Sequence, residues 1–177
     1  MDLIEFKDKP DLSTPINKTN LNHNFGEIKT KIEEIDAECT KHYIIATSTG
    51  TINANGNTDI ELIQTSKNGT KLTFEDGKIK IGEGITKVRI SASIFLDITY
   101  VESAGYIWGR IAKNNSNILG SIQPITTNMA FISAPIPSNI IDVVEGDIFH
   151  LNADVSNVTG IVRNGNNNTW LCVEVIE

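Results

Sequence analysis

Val88-Arg89-Ile90-Ser91-Ala92-Ser93-Ile94-Phe95-Leu96-Asp97-Ile98-Thr99-Tyr100 alternates apolar and polar side chains over its length. Val88, Ile90, Ala92, Ile94, Leu96, Ile98 and Tyr100 fall on one side, and Arg89, Ser91, Ser93, Asp97 and Thr99 on the other, with Phe95 the exception. A period of two belongs to a strand with one dry face, because successive Cβ atoms point to opposite sides of a sheet. Shorter runs of this kind are Tyr43–Thr47, Asp59–Gln64, Lys71–Glu75, Lys78–Ile81, Tyr106–Lys113, Ile118–Gln123, Met129–Ala134, Asp147–Val155, Gly160–Arg163 and Thr169–Ile176. Between them stand hairpin signals: Asn55-Gly56, Asn68-Gly69, Asp76-Gly77, Glu145-Gly146-Asp147 and Asn164-Gly165. Short strands at this spacing predict a mainly β protein, a sandwich or jelly roll.

Composition agrees. The chain has 177 residues, room for one domain plus an appendage. Its 28 isoleucines favour strands and its 19 asparagines favour turns. The net charge of −7 argues against a nucleic-acid partner, which needs clustered Lys and Arg. No apolar run approaches the roughly 18 residues of a membrane span, so no membrane insertion is expected. The start, Met1-Asp2-Leu3-Ile4-Glu5-Phe6, lacks the cationic and apolar regions of a signal peptide. Cys39 and Cys172 are too few and too far apart for a disulfide framework. Synthesis in a reducing cytoplasm is expected, which leaves an extracellular workplace open.

Ahead of the strands the period is different. Pro10 and Pro15 with their turn-forming neighbours make residues 1–20 an extended lead-in. Thr19 or Asn20 then supplies an N-cap. Leu21, Phe25, Ile28, Ile32, Ile35 and Cys39 follow at alternating spacings of four and three, and the pattern extends to His42. That is a heptad seam over residues 21–42, with Phe25, Ile32 and Cys39 at a and Leu21, Ile28 and Ile35 at d. Ile at both positions favours three or four chains over two, and Lys31 and Asp36 sit at the g and e positions that pair between chains. The alternative is a single amphipathic helix docked on its own domain.

The phrase Lys9-Pro10-Asp11-Leu12-Ser13-Thr14-Pro15-Ile16-Asn17-Lys18-Thr19-Asn20-Leu21-Asn22-His23 resembles the N-terminal segments of tail, baseplate and fibre proteins of phages that infect Gram-positive bacteria. Residues 43–177 resemble the complement/tumour-necrosis-factor-like jelly roll that caps many trimeric fibres. The matching stretches are Gly82–Ala92, Val144-Glu145-Gly146-Asp147-Ile148 and Thr169–Val175; Gly105–Asn117 and Asn164–Asn168 match nothing in it. The resemblance implies a homotrimer located in the virion. Residues 1–20 would dock on other virion proteins, and the head, residues 43–177, would face a host-surface component.

Catalytic and metal chemistry finds no motif. His23, His42 and His150 form no H-x-H or H-E-x-x-H group, so no zinc is expected. Asp142, Glu145, Asp147 and Asp154 lack the spacing of a calcium loop and read as turn acids. There is no G-x-S-x-G and no P-loop. The expectation is a protein that is no enzyme and carries no cofactor. Carbohydrate binding has some support: Tyr106, Trp108 and Arg110 share a strand face, and Arg163 with the Asn164–Asn168 loop, Asn166 at its centre, adds polar groups. In the competing placement, Tyr106 and Trp108 fill the core or a trimer axis. Three classes therefore stand: a saccharide-binding phage fibre or baseplate protein, a virion decoration or head fibre that binds no receptor, and a trimeric jelly-roll module of bacterial origin.

Overall fold

The computed structural model describes residues 25–33, 41–48, 52–162 and 168–177. Contacts divide the chain into Met1–Thr40 and Lys41–Glu177. The described part of the first unit is one helix, α1 (residues 25–33). Lys29 and Glu33 pair across one turn at 3.8 Å, and the Thr30 hydroxyl donates to the Gly26 carbonyl at 3.0 Å. The extended arm (1–20) and the seam residues Leu21, Ile35 and Cys39 lie outside the described residues.

The heptad pattern places His42 on the seam, and the structure corrects this. Lys41 and His42 are not helical. The His42 carbonyl accepts from the Val175 amide at 2.8 Å, and its Nδ1 accepts from the Thr70 amide at 3.1 Å. These bonds make His42 the lead-in to the first strand of the head. Burial lowers its pKa, and the Lys71 charge adds to that.

The head has ten strands among the described residues: β1 (Tyr43–Ser48), β2 (Ile52–Ile60), β3 (Leu62–Asn68), β4 (Leu72–Glu75), β5 (Lys78–Ile81), β6 (Lys87–Lys113), β7 (Ser116–Ile125), β8 (Phe131–Asp142), β9 (Ile148–Val162) and β10 (Trp170–Val175). All pairings are antiparallel. β6 organises them. Its first part pairs with β10 over Val88–Ser93 and with β8 over Lys87–Asp97. From Leu96 onward β9 replaces β10, and from Gly105 β7 replaces β8. One layer is thus β3-β1-β10-β6-β8, and the other runs from β2, β4 and β5 through β9 to the second half of β6 and β7.

The apolar side of the quoted strand is the core: Val88, Ile90, Ala92, Ile94 and Leu96 are buried. Ile107 and Ile111 from the second half of β6 meet Phe149, Leu151, Ala153 and Val155 of β9, with Ile44 and Val173 from the other layer. Tyr100, assigned to the dry side by alternation, is exposed instead, because the ladder to β9 shifts register between Ile98 and Tyr100.

Three other local expectations change. Tyr106–Lys113 is no separate strand but the continuation of β6. Asp59–Gln64 breaks at Glu61 into the end of β2 and the start of β3. Asn55-Gly56 is not a hairpin: the register with β9 shifts there, and Gly56 takes φ +70° as a bulge inside β2. By contrast Asp76-Gly77 is the expected two-residue turn, with φ 48° and 72°.

Candidate ligand-binding face

Alternation along β6 sends Ile107 and Ile111 inward and leaves Tyr106, Trp108 and Arg110 on the outer side of the second layer. The strand registers then build rows across that face. Arg110 stands between Asn152 of β9 and Gly120 of β7, and Asn152 pairs in turn with Asp59 of β2. Next to it, Trp108 stands between Asp154 and Ile122, and Asp154 pairs with Asn57. Tyr106 lies between Ser156 and Pro124. This is the outward placement, so the competing core role for the two rings does not hold within the head.

Arg110 is not the free guanidinium that its spacing had promised. It is 7% exposed, and its Nη2 donates to both the Asn57 and Asn152 side-chain carbonyls. Asn152 passes the connection on by donating from Nδ2 to Asp59 Oδ1 at 2.8 Å. A buried cation is costly unless hydrogen-bonded and reached by a counter-charge, and this relay supplies both. The guanidinium carbon lies 4.6 Å from the centroid of the Trp108 ring, a cation–π distance. Arg110 therefore steadies Trp108 rather than reaching into solvent. His150, two residues before Asn152 on the same side of β9, stands with Nε2 3.7 Å from Asp59 Oδ1. Burial lowers its pKa, the Asp59 carboxylate opposes that, and the Lys78 charge reinforces it. Two buried polar atoms of this network have no hydrogen-bond partner, Arg110 Nε and His150 Nδ1.

The outer side of the other layer has a different character. Thr47, Trp170, Ser93 and Pro135 form one cross-strand row, and Ile45, Cys172 and Ser91 another. Neither row carries a formal charge; burial, with Glu174 second, raises the Cys172 pKa and keeps the thiol neutral. Ser93 and Ser133 hydroxyls meet at 3.0 Å, and Phe95 stacks on Phe131 at 5.6 Å between centroids. Phe131 is nevertheless 63% exposed, and Met129 just before β8, Ile140 at the far end of β8 and Ile63 on β3 are exposed as well. At one end of the layer Arg89 pairs with Glu174 at 2.8 Å and Lys87 with Glu177 at 2.6 Å.

Of the candidate saccharide residues, Tyr106, Trp108 and Arg110 come together, while Arg163 and Asn166 lie outside the described residues. Sequence reading missed Asn57, Asp59, Asn152, His150 and Gly120. The usable signal was β9, where His150, Asn152 and Asp154 alternate with Leu151, Ala153 and Val155. Gly105–Asn117, which matches nothing in the family pattern, is the end of β6, a turn at Asn114-Asn115 (φ 52° and 65°) and the start of β7. Among the turn acids, Asp147 is held by Lys113 Nζ at 2.8 Å, Asn114 Nδ2 at 2.6 Å and the Val144 amide at 3.0 Å. Of the seam residues, Phe25, Ile28 and Ile32 lie on α1 and are exposed by 63, 55 and 53%.

Two antiparallel layers sharing one long strand define a jelly-roll sandwich of the tumour-necrosis-factor type. The solved structure of murine APRIL at pH 5.0 is similar with a TM-score of 0.61 at 8% identity, over 77% of this chain and 99% of that one. Eiger TNF from S. frugiperda is similar at 0.59 and 7% identity, over 77% of this chain and 92% of that one. At such identities the likeness is one of fold. No family profile and no curated protein matches the sequence.

Proposed function

We propose that the chain is a homotrimeric fibre-type protein whose jelly-roll head binds a host-surface saccharide and whose N-terminal arm docks on a virion. Its role is binding rather than catalysis. The carrying observation is the middle of the outer face of the β3-β1-β10-β6-β8 layer, where two cross-strand rows carry no formal charge, together with the exposed Phe131. The outer face of a sheet that meets only water normally carries alternating polar and charged side chains, and an apolar patch marks an interface. A second copy lying over these two rows buries no charge from them. The heptad spacing from Leu21 to Cys39 supports the same self-association, and Tyr106 and the half-buried Trp108 on the opposite layer offer ring surface to a sugar. The virion assignment rests on the lead-in phrase of residues 9–23.

Sedimentation equilibrium at micromolar concentration tests the assembly. The expected species has three times the 19.4 kDa chain mass; a monomer overturns the proposal. Deleting residues 1–20 is expected to leave that species intact while abolishing incorporation into particles. Unimpaired incorporation refutes the docking role.

A further inference from the structure

His42 fastens the entry to the head through a nitrogen that can also take up a proton. Lys41 opens the second unit of the chain, and Lys41 and His42 together precede β1. Asn68 Nδ2 donates to the Lys41 carbonyl at 2.8 Å, and the Val175 amide donates to the His42 carbonyl at 2.8 Å. The third bond runs from the Thr70 amide to His42 Nδ1 at 3.1 Å. The turn after β3 and the end of β10 thus grip the entry from two sides. Of the three bonds, only the last depends on protonation.

An imidazole that accepts at Nδ1 carries its single proton on Nε2. A second proton can bind only at Nδ1, the atom to which the Thr70 amide donates. Taken up there, it sets one N–H against another and turns attraction into repulsion. The ring is closely seated on this turn. It fills the place of a side chain at Gly69, where a Cβ would stand 1.8 Å from Nδ1 and 2.6 Å from Cγ and Cε1. Gly69, with φ +74° and no Cβ, is what brings the imidazole onto the Thr70 amide.

Among the described residues, the charges around His42 oppose an imidazolium or are already matched. Lys71, just past the turn, repels it, and Lys41 and Lys67 have the same sign. On the β10 side Glu174 is paired with Arg89 and Glu177 with Lys87. On β1 the Tyr43 hydroxyl accepts from Ser66 at 3.5 Å. Burial, and Lys71 after it, hold the pKa below the ordinary 6.5, so the ring is neutral near pH 7 and charges in acid.

We propose that His42 is an acid-operated catch: a proton taken up at Nδ1 frees Lys41 and His42 from the Asn68–Thr70 turn, and the head then begins at Tyr43. The chain ahead of the head gains two residues, about 7 Å of reach at roughly 3.5 Å per residue. The catch is closed above the folded pKa and opens as pH falls through it.

Amide exchange in the full-length protein, followed by NMR at about pH 7.5 and about pH 5, tests the catch, with the His42 ring shift reporting its own titration. Corrected for intrinsic rates, Thr70 protection is expected to fall at least about fivefold as His42 charges, the worth of one hydrogen bond. The amides of the buried Ile107 and Ile111 are expected to stay protected. His42→Asn keeps an acceptor near the place of Nδ1 and binds no proton, so its Thr70 should stay protected at both pH values. His42→Ala should lose that protection at the higher pH as well. Thr70 protection that is unchanged while the His42 shift titrates overturns the proposal, and so does an Asn variant that loses it in acid. A loss shared by Ile107 and Ile111 also overturns it, because the whole head is then melting.

Discussion

The Trp108 indole lies against the backbone of Gly120: a Cβ at 120 would stand 2.7 Å from Trp108 Nε1, 3.0 Å from the Gly109 carbonyl oxygen and 3.2 Å from Arg110 Cγ. The missing side chain on β7 is therefore the slot in which the indole and the arginine stem rest. Gly120→Ala is expected to displace the ring at a cost of about 1–3 kcal/mol. In a Trp170→Phe background the remaining tryptophan emission should shift and retention on host wall polysaccharide should fall. Emission and retention both unchanged would show that the ring does not depend on this slot.

Trp108 and Ile111 lie on opposite sides of one strand and should behave oppositely. Ile111 is fully buried, so Ile111→Ala is expected to cost about 2–5 kcal/mol. Trp108→Ala should cost less and abolish saccharide binding with the fold intact. Urea midpoints for the two variants make the comparison. A Trp108→Ala protein that unfolds more easily than Ile111→Ala contradicts the outward placement.

Acid should weaken the head through His150. Its folded pKa lies below the ordinary 6.5, chiefly through burial, so the folded state binds the proton less well than the unfolded one. Stability from this group is fully present above about pH 6.5 and is lost as pH falls through the folded value. Asp59 pulls the other way and Lys78 the same way. Denaturation curves between pH 7.5 and 5 (roughly the window set by that ordinary value) should show falling stability, with a shallower fall in His150→Gln. Parallel profiles for the two proteins would remove His150 from the account.

Self-association has its own pair of variants. Phe131→Asp sets a second carboxylate beside its strand partner Asp97, where a covering copy desolvates it, a cost of several kcal/mol. The side chain is largely exposed in the single head, so the fold should survive while sedimentation reports smaller species. Ile32→Asp should loosen the stem and expose the N-terminal region to protease. If both variants sediment and digest like wild type, neither surface is an interface.

The alternation of Val88–Leu96 was legible because one face is dry along all of that stretch. Beyond Leu96 the pattern is lost, since β6 exchanges β10 for β9 there and β8 for β7 by Gly105, and two register shifts interrupt its ladder to β9. Which strand lies alongside is a tertiary fact with no local signature. Asn55-Gly56 misled for a related reason: the same left-handed backbone serves a hairpin turn and a bulge. The Asn114-Asn115 turn carries no glycine, the usual mark of a left-handed backbone, although Asn also tolerates that conformation. On the candidate face, Tyr106, Trp108 and Arg110 were visible from their spacing, but Asn57 and Asn152 are ordinary polar residues until the register sets them beside the guanidinium.

β6 also decides how the head comes apart. Its 27 residues pair with β10 and β8 at one end and with β9 and β7 at the other. Neither layer can melt by itself, because releasing β6 from one strips the same strand from its partners in the other. The sandwich should therefore unfold as a single cooperative unit. Forming it means bringing together partners as far apart as Val88 and Val175 before the ladder closes, which makes folding slow.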